Sequence, residues 1–179
     1  QLNYNLNIGL AASKGTYIAR IDADDVNHSN RLAIQVPKLK EFDIIGSNVE
    51  FIDEDGNIHG NSNVPEHDKK IRRCIFYRSV IMHPTIMIKK SLLLEIGGYQ
   101  GGKFSEDYDL WLRLMRDKKN LFHNIQLPLV QYRIHSNQMS AQKDSFAYVS
   151  SYFLREAMLT RSIYCIFGAF VYFLKFIFR

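Results

Sequence analysis

Three carboxylates lie within four positions at the end of an apolar stretch. The segment YIARIDADDV places Asp22, Asp24 and Asp25 directly after alternating apolar residues. Mg²⁺ and Mn²⁺ prefer oxygen ligands, and Mg²⁺ takes one or two carboxylates together with water and substrate phosphates. Crowded carboxylates repel one another, and a bound cation would relieve that repulsion. A solvated turn is the simpler interpretation of an isolated motif, because Asp favours turns.

A second acidic group begins a predicted helix. The segment FSEDYDLWLRL places Glu106, Asp107 and Asp109 in the first turn, directly after the glycine-rich segment GGYQGGKF. The helix dipole stabilises acidic residues at this end, which favours a capping role. A carboxylate beside a flexible glycine-rich loop is also suited to act as a general base towards an incoming hydroxyl. From the residues alone, both interpretations stay open.

The elements that must position these residues alternate between strands and helices. We predict strands over 16–22, 43–53 and 83–90, and one or two strands around Pro128 over 121–135. Helices are predicted over 1–15, 29–42, 65–79, 91–99, 105–120 and 145–179. Ser29 or Asn30 is the expected cap of one helix, and Ser105 that of another. This alternation indicates a layered α/β domain. With 179 residues, 46% of them hydrophobic, the chain is long enough for one sizeable core.

Charge and cysteine content exclude some functions. The net charge is +5, but the basic residues are scattered, and the densest run, KKIRR at 69–73, lies on a predicted amphipathic helix. That run predicts a solvated face, and no nucleic-acid partner is expected. Cys74 and Cys165 lie far apart without a metal-ligand pattern, so neither a zinc site nor a disulfide framework is indicated. This usage fits a reducing compartment.

Four segments occur in an order that resembles the family 2 glycosyltransferases of bacterial surface-polysaccharide assembly. They are NIGLAASKGTYIARIDADD, MHPTIMIKKSLLLEIGGY, SEDYDLWLRL and LPLVQYRIHSNQMS, which together span residues 7 to 140. The resemblance implies the GT-A fold, a nucleotide-binding α/β sandwich. It also implies inverting transfer of a sugar from a nucleotide-sugar donor, expected to be a UDP-sugar, to the hydroxyl of a glycan or lipid-linked acceptor.

The resemblance assigns the donor side of the site to two segments. Asp24 would ligate a Mg²⁺ or Mn²⁺ ion that bridges the donor diphosphate, and Asp22 would contact the ribose or the metal shell. Asp25 extends this motif. Arg133 and His135 occupy positions where the family often has a basic residue near the diphosphate, and His135 could also contact the metal.

The acceptor side would depend on the second acidic segment. The resemblance implies that Asp107 is the catalytic base and that Glu106 helps to place the acceptor or the base. Arg113 lies almost two turns further along the helix, so a packed ion pair is its expected role. His83 is predicted to pack structurally near the acceptor side, and Trp111 is predicted to lie in the core.

The chain is predicted to consist of a partial GT-A domain over residues 1–140 and a helical segment over 141–179. In the family, the strands that hold the nucleobase precede the Asp motif, which here begins at position 22. The resemblance therefore predicts that the base-binding part lies outside this chain. It also predicts that the chain alone does not turn over substrate.

The C-terminal segment is apolar on all sides from position 163 to 178. At 1.5 Å per residue it reaches roughly 24 Å, which is marginal for a bilayer span of about 30 Å. Basic residues flank it, namely Arg155, Arg161, Lys175 and Arg179. We predict a helix that lies at the surface of the inner membrane or is partly inserted in it, with the protein cytoplasmic and peripheral. The alternative is burial against another part of a longer protein.

Two rival functions remain. The segment IDADDV also fits the start of haloacid-dehalogenase-type phosphatases, in which the first Asp is the nucleophile. The other rival is an inactive truncated remnant or a membrane-associated interaction module, which the short N-terminal part supports.

Overall fold

A six-stranded mixed sheet forms the centre of the molecule. The computed structural model describes residues 2–135 and 142–178. Its strands are β1 (Tyr17–Ala19), β2 (Val26–Asn27), β3 (Ile44–Ile52), β4 (Ile58–Asn61), β5 (Met87–Lys89) and β6 (Phe122–Arg133). Their order is β1–β5–β3–β6–β2, and β4 pairs with the C-terminal part of β3. The central pair, β3 and β6, is parallel, whereas the other pairs are antiparallel.

Helices cover both faces of this sheet. They are α1 (Leu2–Ala12), α2 (Arg31–Lys38), α3 (Asp68–Cys74), α4 (Lys90–Glu95), α5 (Glu106–Met115), α6 (Asp144–Thr160) and α7 (Ile163–Phe178). The fully buried Ile44 packs in a large core with α3 to α7, whereas its neighbour Ile45 packs with Leu39 in a smaller core on the α2 side. Successive strand residues point to opposite faces, so β3 is buried on both. The predicted layered α/β fold is confirmed.

The C-terminal helices share the large core. Phe153 of α6 and Tyr172 of α7 are buried and stack at 5.7 Å between ring centroids. An ion-pair network also joins α6 to α5, because Arg116 binds Glu156 with both contacts at 2.7 Å. The predicted domain boundary between 140 and 141 and the predicted flanking charge Arg179 lie outside the described residues. In the part of the chain that the structure describes, no helix combines the length and hydropathy that crossing a bilayer would require.

Several predicted element boundaries are wrong. β1 ends at Ala19 rather than Asp22, so the three carboxylates lie in a loop beyond the strand. The segment His83–Thr85 forms a short 3-10 helix before β5, because Pro84 occupies its first turn and cannot donate to a sheet. The predicted C-terminal helix is two helices, separated at Arg161, which has a left-handed backbone with φ of 54°.

Two strands escaped the sequence analysis altogether. β2 consists of two exposed residues, and it forms because Val26 and Asn27 pair with Gln131 and Val130 of β6. β4 is exposed along its whole length and forms as the return strand of a hairpin after the turn at Gly56. Neither has the alternating apolar pattern that predicts a strand, since tertiary pairing rather than burial holds them.

Candidate active site

Arg20 holds the first carboxylate of the Asp-rich loop. Its guanidinium donates two hydrogen bonds to Asp22, from Nη1 to Oδ2 at 3.0 Å and from Nη2 to Oδ1 at 2.6 Å. Arg20 is 6% exposed, whereas the Asp22 side chain is 34% exposed. Such a bidentate pair fixes the orientation of the Asp22 carboxylate and also compensates its negative charge. Sequence analysis missed Arg20, although residues two apart on an extended chain share a face.

A second buried arginine supports the same loop from α2. Arg31 is 1% exposed, and its Nη2 donates to the carbonyl oxygens of Arg20 at 2.8 Å and Ile86 at 3.1 Å. Its Nη1 donates to Asn27 Oδ1 at 2.6 Å, and its Nε donates to Gln35. Burial and the nearby charge of Arg20 lower the pKa of Arg31 to about 10. Arg31 therefore connects α2, β2 and the end of β1 beneath the loop.

The end of β6 closes the loop from the other side. The backbone N–H of Arg133 donates to Asp25 Oδ1 at 2.9 Å, and Arg133 Nε donates to the Asp24 carbonyl at 3.0 Å. His135 Nε2 lies 3.3 Å from Asp24 Oδ2. The structure thus brings together the predicted donor-side residues Asp22, Asp24, Asp25, Arg133 and His135. Arg133 Nη1 also donates to backbone carbonyls of the turn after β3, so this side chain fastens the loop.

The loop offers ligands that suit a divalent cation. Asp24 is 44% exposed at its side chain and lies beside the ring nitrogen of His135. Asp25 Oδ2 is buried and has no hydrogen-bond partner among the described residues. Burial raises the pKa of Asp25 to about 6, and the charges of Asp22 and Asp24 raise it too. An unpartnered carboxylate oxygen beside another carboxylate fits a cation site, with Asp24 better placed as a ligand than the Arg20-paired Asp22.

The second acidic segment lies at the start of α5. Glu106 is 7% exposed, and its Oε1 lies 3.7 Å from His83 Nδ1. Burial raises the pKa of Glu106 to about 7, and the charge of Asp107 adds to this rise. Burial also raises the pKa of Asp107, although its Oδ1 accepts a hydrogen bond from the Tyr108 N–H at 2.8 Å. A carboxyl pKa near neutral pH, as at Glu106, is suited to proton transfer.

Two structural roles predicted around this segment are confirmed. His83 is 8% exposed, its Nε2 lies 3.2 Å from the Tyr99 hydroxyl, and its ring meets Trp111 edge-on. Burial lowers the pKa of His83 well below its usual value, so the ring is neutral. Trp111 is 1% exposed and lies in the large core.

Asp109 has a structural role, although it lies two residues after Asp107. It is fully buried, and its Oδ2 accepts a hydrogen bond from Arg113 Nε at 2.8 Å, while its Oδ1 pairs with Arg155. Arg113 also donates to the carbonyl of Gly98 at 2.7 Å. The predicted ion-pair role of Arg113 is therefore confirmed.

Hydrogen bonds and close packing hold the glycine-rich loop before α5. Asn7 exchanges two hydrogen bonds with the backbone of Tyr99, at 2.8 and 2.9 Å. The Gly102 N–H donates to the Tyr152 hydroxyl at 2.7 Å. A Cβ atom at Gly101 would lie 2.7 Å from the Glu106 Cα atom. Glycine is therefore needed here for close packing against α5. Ser105, the predicted cap, occupies the cap position with φ of 59° but makes no side-chain capping bond.

Arg20 connects the two acidic segments electrostatically. Besides pairing with Asp22, its charge opposes the burial that raises the pKa values of Glu106 and Asp107. The carboxylate of Asp22 acts in the opposite sense on both groups. The backbone also brings them near each other, because the Arg20 N–H donates to the Ile86 carbonyl at 3.0 Å, and His83, three residues before Ile86, lies 3.7 Å from Glu106. The loop after β1 and the start of α5 are therefore joined through the segment 83–86.

An open cavity of about 780 Å³ adjoins this site. Glu106 and Asp107 line it, and residues of α6 and α7 form much of its wall. A different set of metal-ligand types lies elsewhere, where Glu66, His67 and His123 place their ligand atoms within 4.8 Å of one another. His123 pairs with Ile45 near the start of β6, whereas Arg133 ends that strand, so this cluster lies at the opposite end of β6 from the Asp-rich loop.

Comparison with known proteins decides the family. Residues 1–97 match the family described as Glycosyl transferase family 2. The chain belongs to this family. The O-antigen biosynthesis glycosyltransferase WbnJ of Escherichia coli is 38% identical over 168 residues, which cover 91% of this chain and 65% of that protein. The haloacid-dehalogenase alternative is therefore wrong.

Further relatives support the same fold. An Escherichia coli protein named UDP-Gal:alpha-D-GlcNAc-diphosphoundecaprenol beta-1,3-galactosyltransferase is 28% identical over 162 residues, covering 82% of this chain and 54% of its own length. S. aureus TarS 1-349, solved in complex with UDP-GlcNAc, superimposes with a TM-score of 0.57 at 17% identity, covering 83% of this chain and 45% of that one. This likeness confirms the GT-A fold. The chain spans 65% and 54% of the lengths of the two curated relatives.

Proposed function

We propose that this chain contains the metal-binding residues and the catalytic base of an inverting, metal-dependent glycosyltransferase of surface-polysaccharide synthesis. The donor would be a nucleotide sugar, most simply a UDP-sugar, and the acceptor a glycan hydroxyl. The observation that carries the proposal is the proximity of two acidic groups, since Asp22 pairs with Arg20, Arg20 bonds to the Ile86 carbonyl, and His83 of the same segment lies 3.7 Å from Glu106. TarS, which has the same fold, was solved with UDP-GlcNAc and with UDP, which supports a UDP-sugar donor.

In this proposal one acidic segment acts on the acceptor and the other on the donor. Asp107, ionised, accepts the proton of the acceptor hydroxyl, and the oxygen then forms a bond to the anomeric carbon of the donor sugar. The bond from that carbon to the diphosphate breaks, and the diphosphate leaves with the electron pair. Attack from the face opposite the leaving group inverts the anomeric centre. Glu106, which adjoins Asp107 in the same cavity, positions the acceptor.

The Asp-rich loop would hold a Mg²⁺ or Mn²⁺ ion on the donor side. Asp24 and His135 are the proposed ligands, with Asp22 and Asp25 in support. A bound divalent cation would neutralise charge that grows on the departing diphosphate. Arg133 keeps the loop in place through backbone hydrogen bonds and lies beside the proposed diphosphate position.

The test of the metal site is Mn²⁺-dependent binding of a UDP-sugar. It is measured by calorimetry in a longer form of the protein that has been shown to bind UDP-sugars. Asp24→Asn should abolish the metal dependence and leave the unfolding temperature almost unchanged, because the side chain is half exposed. His67→Ala is the matched control, since it disrupts the separate Glu66–His67–His123 cluster. If the metal dependence of Asp24→Asn is unchanged, the motif is only a surface turn and does not bind the metal.

We further propose that the nucleobase is held by a segment other than residues 1–179. β1 is the last strand in the sheet order, so a further strand could pair beside it. The chain alone should show no transfer with a panel of nucleotide sugars, whereas a protein extended at its N-terminus should show it. Strong transfer by residues 1–179 would overturn this proposal. An extended protein whose stability does not rise with UDP and Mn²⁺ would favour the inactive remnant, because a ligand of the native state raises stability.

We also propose that the protein acts at the cytoplasmic surface of the membrane, with α7 as the contact. α7 exposes large apolar side chains, and the basic residues Arg161 and Lys175 lie near its two ends. Such a helix suits an anionic lipid surface. The test is co-sedimentation with vesicles that contain anionic lipid, compared with neutral vesicles. Equal recovery in the supernatant with both vesicle types would contradict the proposal.

A further inference from the structure

Three side chains of metal-binding type meet near the start of β6. Glu66, His67 and His123 each place one possible ligand atom within 4.8 Å of the other two. Glu66 Oε2 lies 3.8 Å from His67 Nε2, and the two histidine rings are 6.2 Å apart between centroids. Two imidazoles and one carboxylate form a ligand set that suits Zn²⁺, with the fourth position left to water. The set is a poor one for Mg²⁺ and Ca²⁺, which prefer oxygen ligands.

Backbone pairing holds these three residues next to one another. His67 and His123 form an isolated antiparallel β-bridge, and the Asn124 N–H donates to the Glu66 carbonyl at 2.9 Å. His67 is also the residue at which α3 begins, in the cap position. The chain that leads into α3 is therefore fixed against the start of β6. Ligands on such a frame lose little conformational freedom when an ion binds.

His123 is the buried member of the cluster. It is 8% exposed, and the Phe42 ring stacks on it at 4.5 Å between centroids, with 14° between the two planes. Its Nδ1 atom is buried and has no hydrogen-bond partner among the described residues. Buried polar atoms without a partner are rare in native proteins, and a bound ion or water molecule often accounts for them. A ring that is held in this way, with a nitrogen still available, is suited to bind a metal ion.

Glu66 and His67 can adjust their positions around the buried ring. Their side chains are 42% and 73% exposed, so both can change rotamer without disturbing the core. Zinc bonds of about 2.0–2.1 Å place tetrahedral ligand atoms about 3.4 Å from one another. Ligand atoms that are now up to 4.8 Å apart must therefore approach by about 1 Å. Rotation of the two exposed side chains supplies this movement.

We propose that Glu66, His67 and His123 bind a Zn²⁺ ion, with water completing the coordination. The ion joins the chain before α3 to the start of β6 and so stabilises the folded state. This site is separate from the one proposed at the Asp-rich loop. His123 and Arg133 lie near opposite ends of β6, which at roughly 3.3 Å per residue places them about 30 Å apart. The zinc ion therefore has a structural role and takes no part in sugar transfer.

Calorimetric titration of the chain with zinc chloride tests this inference, with excess Mg²⁺ present to occupy sites built from oxygen ligands. The unchanged chain should bind Zn²⁺, and its unfolding temperature should rise, because a ligand of the native state stabilises that state. His67→Ala should weaken zinc binding at least tenfold, since even the loss of a group that supports a ligand commonly costs about that much. His59→Ala is the matched control. His59 is also an exposed histidine beside a carboxylate, that of Asp53, but it lies outside the cluster, so this variant should bind zinc within twofold of the unchanged chain.

Three results would overturn the inference. They are no zinc binding by the unchanged chain, unchanged binding by both His67→Ala and a second variant, Glu66→Gln, and equal weakening by His59→Ala. The last would mean that zinc binds to surface histidines in general. Asp24→Asn then separates this site from the Asp-rich loop, because it should bind zinc within twofold of the unchanged chain. Loss of zinc binding in Asp24→Asn would place the ion at the Asp-rich loop and would also contradict the inference.

Discussion

The two acidic segments of the site place the same chemical group in opposite environments. In the loop after β1, Asp22 is paired with Arg20, and Asp24 lies half exposed beside His135. At the start of α5, Glu106 and Asp107 lie together in a mostly apolar cavity, where burial raises the pKa values of both. Carboxylates with a nearby positive partner stay ionised and can hold a cation. Buried carboxylates without such a partner take up a proton more readily.

Asp109 makes the difference clearer, because it lies on the same helix as Asp107. It is completely buried, but Arg113 and Arg155 both bind its carboxylate. The amino acid and the helix are therefore not what distinguishes Asp107 from Asp109. Among the described residues no arginine forms an ion pair with Asp107, and that is the relevant difference.

The largest expected effect is on catalysis, and it tests whether the start of α5 contains the base. Asp107→Asn should lower transfer by about 10²–10⁴-fold, because a general base contributes about that much. Donor affinity should stay nearly normal, since the base acts on the acceptor. Steady-state transfer rates and calorimetric donor binding, both in a protein form that shows transfer, give the two values. Retention of more than a tenth of the rate would move the base to Glu106, because Asp109 is held by its two arginines.

The next effect separates Asp109 from Asp107. Asp109→Asn should lower the free energy of unfolding by about 3 kcal/mol, because it leaves Arg113 buried without its ionic partner. Chemical denaturation measures this loss, and transfer per folded molecule should change far less than in Asp107→Asn. A variant as stable as the unchanged protein would mean that the buried network contributes little. In that case the contrast between the two aspartates would lose its structural basis.

The smallest effect concerns the dependence of stability on pH. The pKa of Glu106 is about 7 in the folded chain, against an ordinary value of 4.5, so the folded state binds more protons between these values. Stability should therefore fall as pH rises from about 4.5 through 7. Glu106→Gln removes this loss and should be the more stable protein at pH 8 by about 1–3 kcal/mol. Thermal melts at pH 5 and pH 8 check it, and a difference that does not grow with pH would show that Glu106 is solvated.

Sequence alone predicted the layered fold and both acidic segments, because apolar periodicity and clustered carboxylates are local signals. It did not predict Arg20 or Arg31, since a lone arginine in an amphipathic pattern normally indicates a solvated face. Their roles depend on which carbonyls and carboxylates meet them after folding, as in the contact of Arg31 with Ile86. β2 was missed for the same reason, because its partner strand is distant in sequence. Long-range pairing leaves little trace in local composition.

The hydrogen bond from the Arg133 N–H to Asp25 joins positions 108 residues apart. During synthesis, at about 5–20 residues per second, roughly 5–20 s pass between the appearance of these two residues. β3 meets its parallel partner β6 only at the end of that interval, and pairings of such sequence separation form slowly. Until then one edge of the most buried strand is open to other chains. The Asp-rich loop therefore cannot reach its final form until position 133 has been synthesised, and conditions that slow elongation before that position should favour aggregation of the nascent chain.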